Sequence, residues 1–460
     1  MSYAPSIGVP ELAGLGSYRD AARIGYSVED TVRRLLRFQW LERAVMRTAI
    51  AHLAGTPEWE VKCALALAPW YTAQHVEAIR QRIGEMRHPV PALDATPDPL
   101  LDRYTSELLR SAGSIEVVTG IYDVTIRALV EEYRAYLRQA NLLVDHPSRR
   151  VVRHALIELE DLLHWGEEAI ALMTARSAED AACAAEWGRH LREYLAAAGW
   201  VSGSDPVPER TLPTARATAP FMPDQTPVRD GRFAGQYNFE FPPHAVYNDP
   251  AAPADERNLA LLAKRTLEMD VPEMMASVLV ERTDLPWEFH LEYARQLWDE
   301  ARHAMMGTVA FEAKGVDWTR IPLNVGFGLR LNRHATPLER QILLFAIEQS
   351  LMPGDTGKRF EYRTAIDAGD DLSAHFHDFD WADEVLHTQI GRRWLKHEGV
   401  DGAEAAKRAA VIHLRTWEAL AQYRDREPQV DWWDDFVRQV LGKPSAVPPE
   451  RRISHDILAE

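Results

Sequence analysis

Apolar residues in the second half of the chain recur every three or four positions. Leu259, Leu262 and Met269 follow this spacing, and the segments 286–313 and 371–396 repeat it over several turns. Such a period is the signature of amphipathic helices. Strand signals are scarce, because no run of alternating apolar and polar residues lies beside an Asn-Gly type turn. The pattern therefore predicts an all-α fold.

Helix start and stop signals support the same prediction. Residues 336–339, Thr-Pro-Leu-Glu, form a capping box with proline at the first helical position, so a helix is predicted to begin there. The Pro-Gly pair at 353–354 predicts a break in that helix. Gly399 is placed to end the helix over 371–396.

Residues 201–257 differ in composition from the rest of the chain. They contain ten prolines and few long apolar periods, which is typical of a linker or a wrapping arm. The 460 residues are enough for more than one core, so we predict domains over 1–200 and 258–460 on either side of the arm. Aromatic residues in the second half of the arm predict that it packs on neighbouring structure: Phe233, Tyr237, Phe239, Phe241 and Tyr247.

Composition and charge exclude several classes of protein. Hydrophobic residues make up 46% and charged residues 26%, which is ordinary for a folded globular protein. A formal net charge of -17 disfavours nucleic acid as a partner. The two cysteines, Cys63 and Cys183, form no framework, and no signal-peptide pattern or membrane-length apolar run is present. We therefore expect a cytoplasmic protein that does not enter the membrane.

The chemistry is carried by a five-residue box that occurs twice. Asp-Glu-x-x-His stands at 299–303 and again at 383–387. On a helix, residues three apart lie on the same side, so the Glu and His of each box can share one metal ion. Two Glu-x-x-His helices, plus one glutamate from each of two further helices, form a two-metal carboxylate centre in a four-helix bundle.

The two further glutamates stand where this arrangement needs them. Glu268 precedes Glu300 by the length of one helix, a turn and one helix back, and Glu348 precedes Glu384 by a similar length. Glu273 competes with Glu268 for the first role, but it leaves little chain for two helices and a turn. The candidate ligands are thus Glu268, Glu300, His303, Glu348, Glu384 and His387.

Residues from about 255 to 400 resemble the ferritin-like superfamily of dimetal-carboxylate proteins. The stretches TLEMDVPE, LPWEFHLEYARQLWDEARHAMMG, EQSLMPG and GDDLSAHFHDFDWADEVLHTQIGRRWL also resemble a bacterial ferritin-like domain family of unassigned chemistry. The resemblance implies the same six ligands and a ferritin-like bundle. It also implies that the aspartate before each box holds the histidine of the other box, which pairs Asp383 with His303 and Asp299 with His387.

Asp380 faces the same site from one turn before Glu384. In ferritin-like N-oxygenases the corresponding position carries an additional histidine ligand. The aspartate therefore weakens an N-oxygenase interpretation without excluding it.

The first half of the chain repeats the pattern imperfectly. The corresponding residues keep nearly constant offsets from the second half, which predicts two fused four-helix bundles: Glu42, Thr72, His75, Asp123, Asp161 and His164. Thr72 replaces a carboxylate, so the first copy is degenerate and is expected to hold these polar residues as core contacts. A weakened or mononuclear metal site in this copy is the alternative.

Oxygen and nitrogen ligands in this mixture suit iron and manganese. We expect two iron ions, or a mixed manganese and iron pair, that react with dioxygen to oxidise a small organic substrate, with electrons from an external donor. Hydroxylation, N-oxygenation, desaturation and halogenation are open to such a centre. The competing interpretations are a transfer-RNA base hydroxylase, which the net charge disfavours, iron storage, and a scaffold that metal stabilises. Association into a homodimer is left open.

The surroundings of the predicted centre allow two interpretations. Gly307 lies one turn after His303, and Met275, Phe345 and Met352 lie near the site by helical period. They are expected either to leave an apolar substrate pocket or to serve ordinary helix packing. Trp432 and Trp433, in the C-terminal tail, are expected to seal the tail on the bundle; covering a substrate is the alternative.

Overall fold

The structure, a computed structural model, describes residues 8–204, 212–354 and 356–452. Every regular element within these ranges is helical, and none of the described residues forms a strand. The all-α prediction is therefore confirmed. Residues 205–211, which belong to the predicted arm, lie outside the described residues.

The chain divides into two compact units. The first comprises Met1–Ala49 with Ala68–Met222, and the second comprises Ile50–Leu67 with Pro223–Glu460. The segment 50–67, which the sequence assigned to the first domain, thus belongs to the second unit. The predicted arm is also divided, because its residues from 223 onward are part of the second unit.

The first unit is built from long helices with buried apolar faces. On α2 the side chains of Leu35, Phe38 and Val45 are fully buried, and the Phe38 ring packs at a tilt against Tyr133 with centroids 4.7 Å apart. The helices that lie wholly or partly in this unit are α1 (Tyr18–Ala21), α2 (Val28–Leu53), α3 (Trp59–Met86), α4 (Pro99–Leu108), α5 (Gly113–Val118), a π-helix (Thr119–Ile126), α6 (Arg127–Gln139), α7 (His146–Arg176) and α8 (Ala178–Ala197).

The second unit contains the predicted metal-binding segment. Its helices are α9 (Pro243–Asn248), α10 (Ala254–Leu267), α11 (Asp270–Glu281), α12 (Trp287–Ala313), α13 (Gly326–His334), α14 (Pro337–Ser350), α15 (Lys358–Asp367), α16 (Asp371–His397), α17 (Gly402–Ala419) and α18 (Trp433–Leu441). The capping box at the start of α14 is present, with the Thr336 and Glu339 side chains each bonded to the other's backbone. The break at 353–354 is also present, since α14 ends at Ser350.

The packing of five helices positions the site. Helix α12 packs on α10 and α16, and α14 also packs on α16. Helix α15 lies against both α10 and α16. The predicted helix around Glu268 is interrupted, because α10 ends at Leu267 and α11 begins at Asp270, which leaves Glu268 at the break.

Residues 223–257 pack within the second unit, partly through aromatic side chains that the sequence singled out. The Phe233 ring lies 5.4 Å from Trp318, and Trp59 lies 5.1 Å from the same tryptophan.

In the tail, Trp433 is fully buried and its indole N–H donates to Glu256 over 3.0 Å. These contacts favour the sealing role for the tail tryptophans.

None of the helices in the described ranges is both long enough and apolar enough to cross a membrane.

Candidate metal centre

The two boxes lie on α12 and α16 and face each other inside the second unit. The His303 and His387 rings are fully buried, and their centroids are 5.8 Å apart. The carboxylates of Glu300 and Glu384 lie between them, each at most 3% exposed. Because a helix places positions three apart on one side, each box directs both of its functional side chains into this space.

One group of candidate ligands, site A, consists of Glu300, Glu348, Glu384 and His387. Their donor atoms lie within 4.8 Å of one another. Nδ1 of His387 is 3.1 Å from Glu300 Oε1, 3.2 Å from Glu384 Oε2 and 3.8 Å from Glu348 Oε1. Among the described residues, the buried oxygen Glu300 Oε1 has no hydrogen-bond partner of good geometry. Site A thus presents three carboxylates and one imidazole to a common point.

A second group, site B, consists of Glu268, His303 and Asp380. Their donor atoms also lie within 4.8 Å of one another. Nδ1 of His303 is 3.2 Å from Asp380 Oδ1 and forms no hydrogen bond of good geometry in the part of the chain that the structure describes. Asp380 therefore stands among the candidate ligands themselves, beside the histidine of the first box.

Two glutamates face both sites. Glu300 directs Oε1 toward His387 and Oε2 toward His303, whose Nδ1 is 3.6 Å away. Glu384 directs Oε2 toward His387 and Oε1 toward His303, whose Nδ1 is 4.0 Å away. A carboxylate with one oxygen toward each of two positions is suited to bridge two ions.

The aspartates of the boxes hold the far side of the opposite histidines. Asp383 Oδ2 is 3.3 Å from His303 Nε2, and Asp299 Oδ2 is 3.4 Å from His387 Nε2. The guanidinium of Arg302 contacts both aspartates, and that of Arg295 donates to Asp299. When Nε2 carries the proton, the Nδ1 lone pair of each histidine points at the carboxylates, which is the orientation a metal needs.

Burial sets the electrostatics of site A. Burial, reinforced by the neighbouring Glu384 and Glu300, raises the pKa of the Glu348 carboxyl well above its ordinary value. Burial also raises the pKa of Glu384, but the Lys358 ammonium and its other polar neighbours outweigh it and hold that pKa well below its ordinary value. Carboxylates this close repel one another unless a proton or a cation lies between them.

Sequence analysis missed two cations that enter the centre. Lys358 places Nζ 2.9 Å from Glu384 Oε1 and 2.9 Å from Asp380 Oδ2. Arg265 places Nη1 2.9 Å from Glu268 Oε2 and 2.5 Å from Asp380 Oδ1. Arg265 could have been predicted from the sequence, since it precedes Glu268 by three positions. Lys358 could not have been predicted from the sequence, because only the tertiary fold brings α15 to the site.

Beyond site B lies a third buried group that the sequence also missed. His377 Nδ1 accepts a hydrogen bond from Arg265, whose guanidinium also donates to Glu361 over 2.7 Å. Burial lowers the pKa of His377 to about 3, and Arg265 acts in the same direction. The neutral imidazole and the Glu361 carboxylate thus hold the arginine in place. His377 precedes Asp380 by three positions, which was its signal in the sequence.

Gly307 serves helix packing. A Cβ atom there would lie 2.8 Å from the backbone nitrogen of Thr266, closer than side chains approach backbone. The glycine therefore lets α12 approach α10. Of the other residues near the predicted pocket, Met275 and Phe345 are buried, and Phe345 packs against Gly391. These contacts favour the packing interpretation over an open pocket.

Glu273, the competitor of Glu268, lies in a separate buried ion cluster. Its Oε1 is 2.6 Å from Lys62 Nζ and 2.5 Å from Arg229 Nη1. Arg229 also contacts Asp270, so the cluster joins residues 50–67, the arm and α11. This placement assigns Glu273 to ion pairing and leaves Glu268 beside the boxes.

The first unit brings together only part of its predicted set. His75 Nδ1 is 3.1 Å from Glu42 Oε2, and its Nε2 is 2.7 Å from Glu158, a residue the sequence did not single out. The Tyr133 hydroxyl donates to Glu42, and the Thr72 hydroxyl donates to a backbone carbonyl of its own helix.

The remaining residues of the predicted set point elsewhere. Asp161 and His164 are exposed. Asp123 pairs with Arg127 and Arg192 and lies within a π-helix, whose wider turn changes the face on which a residue falls. The alternative of a metal site is therefore wrong for the set predicted from the sequence, which is Glu42, His75, Asp123, Asp161 and His164. Glu42 and His75 are core contacts, as expected.

Comparison with models of protein families, with curated proteins and with solved structures found no match to this chain. The centre is therefore interpreted from its own geometry and from the chemistry of its side chains.

Proposed function

We propose that sites A and B form a ferritin-like dimetal centre, and that the protein is an oxygen-dependent oxidoreductase acting on a small organic substrate. One observation carries the proposal. Nδ1 of each box histidine faces a group of buried carboxylates, while Nε2 is held by the aspartate of the other box. Such an arrangement orients two imidazoles as metal ligands.

The donor set fits a pair of iron ions, or one manganese and one iron ion. Carboxylates and imidazoles are the ligands that these metals accept, whereas no thiolate lies among the donors. Glu300 Oε1 and His303 Nδ1 are buried and form no hydrogen bond of good geometry among the described residues, and both atoms face the centre. A metal ion would satisfy both atoms once His303 Nδ1 has lost its proton.

The chain's own residues would hold and orient the metals. Glu348 and His387 would serve site A, Glu268 and His303 would serve site B, and Glu300 and Glu384 would bridge them. The bound ions would supply the electrons that reduce dioxygen, and an external donor would replace those that the substrate does not provide. The Gln296 amide donates to Glu348 Oε1 over 3.2 Å and fixes that carboxylate.

Asp380 and the net charge of the chain favour some oxidation reactions over others. Asp380 stands where a ferritin-like N-oxygenase would carry a histidine, so hydroxylation or desaturation is favoured over N-oxygenation. The net charge of -17 disfavours a transfer-RNA substrate. Halogenation remains a second oxidative alternative.

A specific observation favours a different class, a helical scaffold without catalysis. Lys358 and Arg265 pair with three of the carboxylates, so the centre contains its own cations. Such pairing stabilises buried carboxylates without metal. A scaffold would bind a redox-inactive ion at most and would not react with oxygen.

The test is anaerobic titration with ferrous iron, followed by mixing with oxygen. We expect the wild-type protein at saturating iron to show new absorption after oxygen and a coupled diferric Mössbauer spectrum. Glu384→Ala should lose both signals, whereas Asp378→Ala, which removes an exposed acid of the same helix, should keep them. Absence of iron binding at saturation, or bound iron that oxygen leaves unchanged, would contradict the proposal.

A further inference from the structure

Lys358 is a buried lysine whose ammonium group lies inside the candidate centre. It is 1% exposed, and Nζ lies 2.9 Å from Glu384 Oε1, 2.9 Å from Asp380 Oδ2 and 3.1 Å from Asp380 Oδ1. A buried ammonium is costly unless carboxylates surround it. Among the described residues, the hydrogen bonds and ion pairs of its ammonium group go only to these two carboxylates. The lysine is therefore stabilised by the same groups that would hold a metal.

The two sites differ in the charge that they present. In site B, both oxygens of Asp380 contact a cation, Arg265 on one side and Lys358 on the other, and Glu268 contacts Arg265. The two carboxylates of site B are thus matched by two positive charges, those of Arg265 and Lys358. In site A, Glu300 and Glu348 contact no lysine or arginine among the described residues. Site A thus keeps two carboxyl groups that no lysine or arginine of the described residues occupies and that an ion can therefore take as ligands.

Lys358 also occupies the space that an ion in site B would need. Glu384 Oε1, which it contacts, is the oxygen directed toward His303 Nδ1. An ion bound to Asp380, His303 and this oxygen would meet the ammonium directly. Two like charges a few ångströms apart in a buried site repel strongly. The ion and the ammonium therefore exclude each other.

Of the two cations, Lys358 is the one free to withdraw. Arg265 is also held from outside the centre, by Glu361 and by His377. Lys358 is the first residue of α15, directly after a tight turn. Its backbone N–H donates to the Leu351 carbonyl over 3.0 Å, which holds the backbone but not the long side chain. The ammonium group of Lys358 can move by rotation of the lysine side chain alone. Arg265 would have to break its contacts with Glu268, Asp380, Glu361 and His377.

We propose that the Lys358 ammonium is an internal competitor for metal at site B, so that site A binds its ion first and site B fills only as Lys358 withdraws. The inference deepens the proposed function and rests on it. In the metal-free protein the lysine stabilises Asp380 and Glu384. During loading it makes the second binding step weaker than the first.

The experiment is a titration with Mn²⁺, followed by calorimetry and electron paramagnetic resonance. The wild-type protein should bind one ion tightly and a second at least about tenfold more weakly, with an isolated Mn²⁺ spectrum at one equivalent. Lys358→Met keeps the length of the side chain and removes the charge, so it should raise the affinity for the second ion at least about tenfold. A spin-coupled spectrum should then appear at two equivalents.

Three further variants make the result specific. Lys358→Arg keeps the charge and should keep the weak second step. Lys407→Met, which removes an exposed lysine of α17, should behave as the wild type. Glu268→Gln should abolish the second step and leave the first, which tests site B even where Lys358→Met folds poorly.

The possible failures are distinguishable. Two ions bound with equal affinity by the wild type, and no change in Lys358→Met, would overturn the role of Lys358 and leave the dimetal centre intact. No Mn²⁺ bound by the wild type or by Lys358→Met would overturn both proposals. One ion bound by both proteins at any concentration would show that site B is not a metal site and would overturn the competition.

Discussion

Asp383 lies 3.3 Å from Nε2 of His303, although the two residues belong to different boxes on different helices. The reciprocal pair, Asp299 and His387, has nearly the same separation, 3.4 Å. The boxes are thus linked in both directions. Each histidine is oriented by the helix opposite its own, so the geometry of either site depends on the packing of α12 against α16.

Asparagine in place of Asp383 should lower metal affinity without unfolding the protein. The amide keeps the shape of the side chain but loses the charge that favours a proton on His303 Nε2. Loss of such a partner typically costs about 10- to 100-fold in metal affinity. Calorimetric titration of Asp383→Asn and of Asp299→Asn with Mn²⁺ measures the change. Asp378→Asn, at an exposed position of α16, is the control, and an equal loss there would contradict the assignment.

Metal binding should release protons, and affinity should rise with pH. Burial raises the pKa of Glu348 well above its ordinary value. Burial lowers the pKa of His303, but Asp380 and Asp383 outweigh it and raise that pKa to about 10. Both groups therefore carry protons near neutral pH in the metal-free protein, and an ion must displace them. Calorimetry in buffers of different ionisation enthalpy counts the protons; a binding enthalpy that does not depend on the buffer would contradict the expectation.

Glu273 and Glu268 should respond differently to the same substitution. Glu273→Gln leaves Lys62 and Arg229 buried with one charge partner fewer, so it should lower the free energy of unfolding by about 3–5 kcal/mol. Its metal stoichiometry, measured on the folded fraction, should be unchanged. Glu268→Gln should instead alter the second metal-binding step. Urea denaturation and metal titration of both variants separate the effects, and a reversed outcome would exchange the two assignments.

The sequence predicted the two helices that carry the boxes well, because the patterns that indicate them are local. Glu-x-x-His depends only on the helical period, which the apolar spacing over 286–313 and 371–396 already indicated. Once both boxes were predicted as helical, the chain length before each one indicated Glu348 and favoured Glu268 over Glu273. The pairing of Asp299 and Asp383 with the opposite histidines came from a family resemblance, and the distances agree with it.

The sequence failed where side-chain direction depended on tertiary structure. Lys358 follows a turn that no periodic pattern describes, and α15 carries it into the centre from outside the two boxes. In the first unit the prediction assumed a regular α-helical period at Thr119–Ile126, where the chain forms a π-helix. It also placed Asp161 and His164 of α7 on the buried face, whereas both are exposed. Glu158, three residues before Asp161, contacts His75 instead. A constant offset between two half-chains therefore indicated position along the helix but not the face.

Alanine in place of Gly307 should destabilise the second unit. Its Cβ would lie 2.8 Å from the Thr266 backbone nitrogen, so α12 and α10 would have to separate. Overpacking of this kind costs about 1–3 kcal/mol. Gly402→Ala, whose Cβ would meet nothing within 4 Å, is the matched control and should change stability by less than about 0.5 kcal/mol. Urea denaturation measures both, and equal stabilities would mean that the helices adjust freely.

The ion pairs of His75 should make the stability of the first unit depend on pH. Burial lowers the pKa of His75, but Glu42 and Glu158 outweigh it and raise that pKa to about 9, above its ordinary value of 6.5. Because the folded-state pKa is the higher one, the stabilisation is fully present below about pH 6.5 and is lost as the pH rises through about 9. It amounts to roughly 3 kcal/mol at its full extent.

The test compares the wild type with His75→Gln by urea denaturation from pH 6 to pH 10. The difference in unfolding free energy between the two proteins should be largest near pH 6 and should shrink toward pH 10, because only the wild type loses a protonated imidazole. His164→Gln replaces an exposed histidine and should differ from the wild type by less than about 0.5 kcal/mol. A difference for His75→Gln that stays constant with pH would mean that His75 is neutral in the folded protein. Glu42 would then be stabilised chiefly by the Tyr133 hydroxyl.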